Sequence, residues 1–521
     1  MLIVTASEMA QLDKKTIEEI GIPGIVLMEN AGRGAADFYR EVMPDLAERR
    51  IVIVAGSGNN GGDGFVLARL FHEQGAKVQV VCLRPLEKLQ GDALTNFRIL
   101  PKLAIQVYVW DQNSDFDSQL KWIKEADVII DAILGTGLSN EVRGLYRDVI
   151  DAINQMQKPV LAVDVPSGLD ANTGKILGTA IRANATATFG LPKIGQLVEP
   201  GEEYVGKLKV VDIGIPDCVV KSSNIQRWWL QEEYLSGWLT PRNPSAHKGR
   251  SGHVAVLSGS LGKTGAATLI CEGAAHVGAG LVTLFIPASL NLIVEVKLTE
   301  AMTYPIAETD EHTPAQAALP HILSLLQGKQ ALAMGPGISL HADTRELVKS
   351  LLLKAPCPMV LDADALTALA DHRELLEETS QPLVLTPHPG EMARLIHGTT
   401  QEVQDNRLDV AAEFSRKYGV NLVLKGHRTV ITAPDGRLAI NGSGNPAMAS
   451  GGMGDTLTGM IAGFLGQGLE PFRAACLGVF VHGAAADRRI ARVASRGLLA
   501  SQILNEIPAV IGRLERYQVR R

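Results

Sequence analysis

Short, continuously apolar strands alternate with helical segments in two successive series, and this repetition constrains the fold more than any single motif. IVIVAG (51–56), VQVVCL (78–83), IQVYVW (105–110), DVIIDAI (127–133), PVLAVDV (159–165) and LKVVDIG (208–214) make up the first series. Strands apolar at nearly every position are expected where helices cover both faces of a parallel sheet. The pattern restarts at GHVAVLSG (252–259), then LVTLFIP (281–287), ALAMGPG (331–337), PMVLDADAL (358–366) and PLVLTPHPGE (382–391). NLVLKGHRTVITAPDGRLAINGSG (421–444) reads as strands broken by turns, with PDG (434–436) as a hairpin tip. A helical prologue over 7–43 precedes the first strand. At 521 residues the chain is too long for one ordinary core. The two series therefore predict two α/β domains, each a three-layer α/β/α sandwich.

The join is expected over 221–245, between domains at 1–220 and 246–521. Three of the five tryptophans, Trp228, Trp229 and Trp238, lie in it. So much apolar area argues for an ordered segment docked on a domain rather than a flexible tether. The five cysteines (Cys82, Cys218, Cys271, Cys357, Cys476) are scattered and never in CxxC spacing, which argues against disulfides and cysteine-bound zinc. A reducing, cytoplasmic setting is expected. The net charge of -6 gives no reason to expect nucleic acid or an anionic membrane as partner. No signal-peptide pattern or membrane-spanning run is recognised.

GSGNNGGDG (56–64) follows a strand and opens a helix, formally the setting of a dinucleotide-binding turn. Two details argue against hydride transfer. The next strand ends in Cys82-Leu83-Arg84, with no acidic residue for an adenosine ribose. The turn also runs on into Asp63, whose carboxylate would repel a nearby phosphate. DAILGTGL (131–138) and VDVPSGLDANTG (163–174) fall at later strand ends, where open α/β sheets put their sites. Asp131 reads as a metal ligand or a helix cap. Asp164, flanked by apolar residues and a PSG turn, is the better acid–base candidate.

In the second half, SGSLGKTG (258–265) lacks a glycine of the P-loop pattern, with Leu257 in its place, and is not a P-loop. ASGGMGDTLTGMIAGFL (449–465) is the stronger signal. Its glycines lead into an apolar helix whose free N–H groups can receive a phosphate, and Asp455 is placed to take a proton from a neighbouring hydroxyl.

GNNGGDG (58–64), DAILGTG (131–137) and VDVPSG (163–168), in this order, resemble the NAD(P)H-hydrate epimerase family over about residues 1–216. The resemblance implies a Rossmann-like domain whose substrate site is lined by Asn59, Asn60, Gly61, Gly62 and Asp63, and by Gly135, Thr136, Gly137, Leu138, Ser139, Asn140 and Glu141. It implies Asp164 as acid–base residue and K+ held by Asn60, Asp131 and Ser167. KGHRT (425–429), TPHPGE (386–391), GPG (335–337), HKGRSGHVAVLSGS (247–260), LDADAL (361–366) and GGMGD together resemble the ribokinase-like NAD(P)H-hydrate dehydratases over about 240–510. By that resemblance Lys425, Gly426, His427, Arg428, Thr429 and Gly454 hold the adenine nucleotide. Asp455 acts at the substrate, and Ala266, Gly337 and His388 border it.

The family reaction phosphorylates the hydrate hydroxyl and then eliminates phosphate. Mg2+ would neutralise phosphate charge, with Asp364 and Glu391 as candidate ligands. The expected substrates are hydrated NADH and NADPH with ADP or ATP, and ADP is the expected donor for a fused chain. A homo-oligomer is expected. The rival reading is a vitamin-type kinase fused to a non-catalytic Rossmann-like binding module, which leaves GNNGGDG and VDVPSG unexplained.

Overall fold

The structure, a computed structural model, describes residues 1–110, 115–239, 251–494 and 496–519. It divides into two compact units, Leu2–Arg227 and Trp228–Arg521, the second also holding Met1.

The first unit contains β1 (Arg50–Ala55), β2 (Lys77–Cys82), β3 (Gln106–Val109), β4 (Val128–Ala132), β5 (Val160–Val163), β6 (Ala185–Phe189) and β7 (Lys207–Val211). They form one sheet in the order β3-β2-β1-β4-β5-β6-β7, with every pair parallel. Alternate residues of β1 enter different cores. Ile51, Ile53 and Ala55 pack on one face, and Val52 and Val54 on the other. That is the buried-on-both-faces pattern behind the apolar runs. The prologue starts at a capping box, in which Thr5 and Glu8 satisfy each other's backbone N–H groups. It continues as the helices Ala6–Lys15 and Gly24–Val42, with a wide helical turn at Thr16–Ile20 between them.

β6 was not anticipated from sequence. Its residues, ATATF, look only mildly apolar, yet all five are buried. The hydroxyl of Thr186 donates to the Val205 carbonyl at 2.7 Å, which makes a buried threonine affordable.

The second unit contains β8 (Arg227–Leu230), β9 (His253–Leu257), β10 (Leu281–Pro287), β11 (Met302–Ile306), β12 (Ala331–Met334), β13 (Met359–Leu361), β14 (Leu383–Leu385), β15 (Asn421–Leu424), β16 (Val430–Thr432) and β17 (Leu438–Asn441). The sheet order is β11-β10-β9-β12-β13-β14-β15-β16-β17-β8. It is parallel from β11 to β15, and β16 and β17 then add antiparallel. The PDG turn joins β16 to β17, as its sequence predicts. β11 (MTYPI) escaped sequence reading because Pro305 and half-exposed side chains mark it as an edge strand rather than a buried one.

The Trp-rich segment supplies β8, the opposite edge. Trp228 and Trp238 pack on the core beside Phe472, with ring centroids 6.0 and 6.4 Å away. Residues 240–245 of that segment, and His247–Arg250 of the HKGR motif, lie outside the described residues.

The helices Thr264–His276 and Met453–Gly466 cross almost backbone to backbone. A Cβ on Gly459 would stand 2.0 Å from the Ile270 carbonyl oxygen, and one on Gly273 would stand 2.5 Å from that of Thr456. The second helix begins at the GGMGD turn, so this contact fixes where that turn sits. Gly459→Ala is expected to cost about 1–3 kcal/mol by overpacking and to lower dehydration as the turn shifts. Urea unfolding and activity measured together would check this.

Candidate active sites

Both sheets reverse strand order beside their first strand, between β1 and β4 and between β9 and β12. Open α/β sheets bind ligands at such switch points, beyond the carboxyl ends of the strands.

In the first unit a cavity of about 820 Å³ opens there. Its walls include Asn59, Asn60, Asp63, the run from Gly135 to Glu141, and Asp164. Gly61 and Gly62, expected to line the site, do not. A Cβ on Gly61 would stand 2.2 Å from the Gly56 carbonyl, and one on Gly62 would stand 2.8 Å from Met28 Cε. They let the helix Asn59–Glu73 seat closely behind the wall.

Asp164 follows β5 with φ +61°, a left-handed conformation that an aspartate tolerates at a cost. Its N–H donates to the Ala187 carbonyl at 2.8 Å, and its own carbonyl accepts from Gln196 Nε2 at 2.7 Å. The side chain is thereby aimed at Lys193, whose Nζ lies 2.5 Å from Asp164 Oδ1. Lys193 is fully buried and also donates to Thr188 Oγ1 at 3.1 Å and the Phe189 carbonyl at 3.0 Å. Besides the apolar residues that flank Asp164 in sequence, a buried ammonium faces its carboxylate. Lys193 was missed from sequence: a lone lysine in GLPKIGQ reads as a surface residue.

Two further carboxyls face the same cavity. Burial, then the charges of Asp164 and Asp13, push Asp63 well above the ordinary carboxylate range, against the pull of Lys193. Burial also raises Asp13 to about 6, with Lys193 opposing and Asp164 adding to the shift.

Behind the cavity, Asp131 caps no helix. It is the penultimate residue of β4, fully buried, and accepts from Ser167 N at 2.8 Å, Ser167 Oγ at 2.5 Å and Ile133 N at 3.2 Å. Burial raises it to about 6 despite those bonds. The Leu134 carbonyl accepts from both Asn60 Nδ2 and Ser167 Oγ, each at 3.1 Å. Asn60 Oδ1 is buried with no hydrogen-bond partner. Of the three residues expected to hold a cation, Asn60 and Ser167 thus share the Leu134 carbonyl and Asp131 joins them through Ser167, with Asn60 Oδ1 left unsatisfied.

In the second unit, Ser258 Oγ donates to the Pro336 carbonyl at 2.6 Å and ties the β9 loop to the GPG turn. Gly337, with φ +70°, approaches Lys263 and Ala266 so closely that a Cβ would stand 3.0 and 3.4 Å from their β-carbons. Gly337 and Ala266, both expected to border the substrate, are neighbours. Lys263 reaches Asp364 Oδ2 at 3.3 Å, which also accepts from Ser339 N at 2.9 Å.

Beyond them Lys425 Nζ lies 2.7 Å from Asp362 Oδ1 and 3.8 Å from Glu391 Oε2. Thr458 Oγ1 donates to the other Asp362 oxygen at 2.7 Å. Burial opposes the charge on Lys425, but Asp362 and Glu391 outweigh it and raise the ammonium. Burial raises Asp455 to about 6, helped by Asp362 and Asp364 and opposed by Lys425. Gly452, at φ +87°, caps the helix that starts with Met453, Gly454 and Asp455.

His388 caps the helix Pro389–Ile396 through Nδ1, which accepts from Gly390 N at 3.0 Å, while Glu391 Oε2 accepts from His388 N at 2.8 Å. Of the expected nucleotide loop, Lys425 is committed to the carboxylates. Arg428 donates to the Gly442 carbonyl at 3.0 Å and covers the Trp229 ring. Thr429 Oγ1 donates to the Gly426 carbonyl at 2.9 Å, and His427 is exposed. Asp362, visible in LDADAL, emerges as the hub that sequence reading did not single out.

The fold is that of a two-domain α/β enzyme, with a lysine–carboxylate cluster at each switch point. A family model described as YjeF-related protein N-terminus matches residues 24–195, and one described as NAD(P)H-hydrate dehydratase matches 254–509. The bifunctional NAD(P)H-hydrate repair enzyme Nnr of Moorella thermoacetica is 44% identical over 516 residues, spanning 99% of this chain and 97% of the relative. The Escherichia coli protein of that name is 34% identical, spanning 97% of this chain and 93% of the relative. The ADP/ATP-dependent NAD(P)H-hydrate dehydratase of Bacillus subtilis, crystallised with ATP/Mg2+, is 32% identical at a TM-score of 0.47, covering 55% of this chain and 98% of that one. The chain belongs to the bifunctional NAD(P)H-hydrate repair enzyme family.

Lys193→Met is expected to leave Asp164 as an unpaired, largely buried charge. The Leu2–Arg227 unit should lose about 3–5 kcal/mol of stability, read from its urea unfolding transition.

Proposed function

We propose that this bifunctional NAD(P)H-hydrate repair enzyme epimerises the hydrated cofactor in the cavity of its first unit and dehydrates it at the Asp455 centre of its second. The observation that carries the epimerase assignment is the Asp164–Lys193 pair facing a large cavity at a switch point. Asp164 moves the proton on the oxygen that leaves or joins the hydroxyl-bearing carbon, and Lys193 orients it. Asn59, Asn60, Asp63 and the 135–141 loop surround the substrate.

The donor set at Asn60, Asp131 and Ser167 suits K+. It is all oxygen, carries one carboxylate, and includes the unpartnered Asn60 Oδ1. Bound there, K+ would supply positive charge beside a buried acid. Asn60 and the loop at Leu134 would then be held in place for the substrate.

In the second unit the hydrate hydroxyl is the nucleophile. Asp455 takes its proton as the oxygen attacks the terminal phosphoryl group, and the helix N–H groups at Gly454 receive the transferring phosphate. Phosphate then leaves where water would leave poorly, and the dihydronicotinamide is restored. Lys425 neutralises phosphate charge beside Asp362. Asp364 and Glu391 suit Mg2+ as oxygen ligands: Lys263 Nζ and Ser339 N both meet Asp364 at Oδ2, on one side of the carboxylate. Mg2+ would supply charge neutralisation on the phosphates. ADP is the proposed donor. Self-association into a homo-oligomer is supported by Leu292, Ile293 and Val296, large apolar side chains left exposed.

As a general base, Asp455 must be ionised, so dehydration should rise with pH through about 6 and level off above it. Asp455→Ala should abolish the return of dihydronicotinamide absorbance while nucleotide still binds. Lost nucleotide binding in that variant would make Asp455 structural instead.

A further inference from the structure

Hydration of the dihydronicotinamide enamine leaves the hydroxyl on the carbon next to the ring nitrogen. Inverting that carbon requires the oxygen to leave on one face and water to return on the other. One step needs an acid and the other a base, and a single carboxyl is poorly placed to serve both faces.

We propose that Asp13 is the second acid–base group of the epimerase, acting with Asp164. This rests on the epimerase reading above. Asp13 projects from the helix Ala6–Lys15 and lines the cavity that Asp164 lines from the end of β5. Their surroundings differ as an acid and a base require. Asp164 faces the Lys193 ammonium at 2.5 Å, whereas Asp13 Oδ1 is buried with no hydrogen-bond partner. The groups acting on Asp13 are Lys193 and Asp164, and Asp63 joins them through its own repulsion with both acids. Burial keeps Asp13 partly protonated near neutrality.

Asp13 gives its proton to the hydroxyl, the C–O bond breaks, and the pair departs with water as the ring nitrogen lone pair forms C=N. A water on the opposite face bonds to carbon and yields a proton to Asp164, while the C=N pair returns to nitrogen. The proton then passes back to Asp13 through the cavity water.

The test follows equilibration of a single purified epimer of hydrated NADH by the full-length enzyme from pH 5 to 9. The wild type should lose rate as pH rises through about 6. Asp13→Asn should be about 100-fold slower or worse and lose that limb. Asp13→Glu should retain the limb at reduced rate, which shows that the site still folds. A wild-type rate in Asp13→Asn, or an unchanged limb in it, would overturn the assignment of Asp13 alone. A wild type that fails to equilibrate the epimers would overturn the epimerase reading itself.

Discussion

A lysine ammonium held among carboxyls at the end of parallel strands is the constraint on which both halves of this chain depend. Lys193 is fully buried against Asp164, with Asp13 and Asp63 nearby. Lys425, partly buried, lies among Asp362, Glu391 and Asp455. Burying one charge is costly unless it is paired and hydrogen-bonded. Each ammonium meets that condition, and each leaves more carboxyls than it can neutralise. Burial, with repulsion among these acids adding to it, raises Asp13 and Asp455 to about 6.

The fold exists to hold those clusters at switch points. In the first unit, crossing from β1 to β4 brings the helix Asn59–Glu73 and the loop after Asp131 to one cavity. In the second, the close crossing at Gly459 and Ile270 fixes the helix that carries Gly454 and Asp455. Placing both steps on one chain is chemically apt. A dehydratase that accepts one epimer needs a partner activity to use the other.

The glycine turns were legible because their residues are dictated locally. Gly452 needs a left-handed φ, and Gly61 tolerates no Cβ against the Gly56 carbonyl. Apolar strands buried on both faces announced themselves for the same reason. β6 and β11 did not: one hides its burial behind threonines whose hydroxyls are satisfied, Thr186 by the Val205 carbonyl and Thr188 by Asp164, and the other is a proline-bearing edge. Lys193 and Asp13 were invisible because their meaning arises only when strand ends and the prologue helix share one cavity. Asp164 was found, but its ammonium lies 29 residues further along the chain.

The central claim is that two separate centres act in succession on one substrate. It is tested most directly by the yield of dihydronicotinamide from an equal mixture of both hydrate epimers, given ADP or ATP with Mg2+. The wild type should convert the whole mixture. Asp164→Ala, over the same time, should stop once the epimer that the dehydratase accepts is exhausted. Full conversion by that variant would contradict the division of labour.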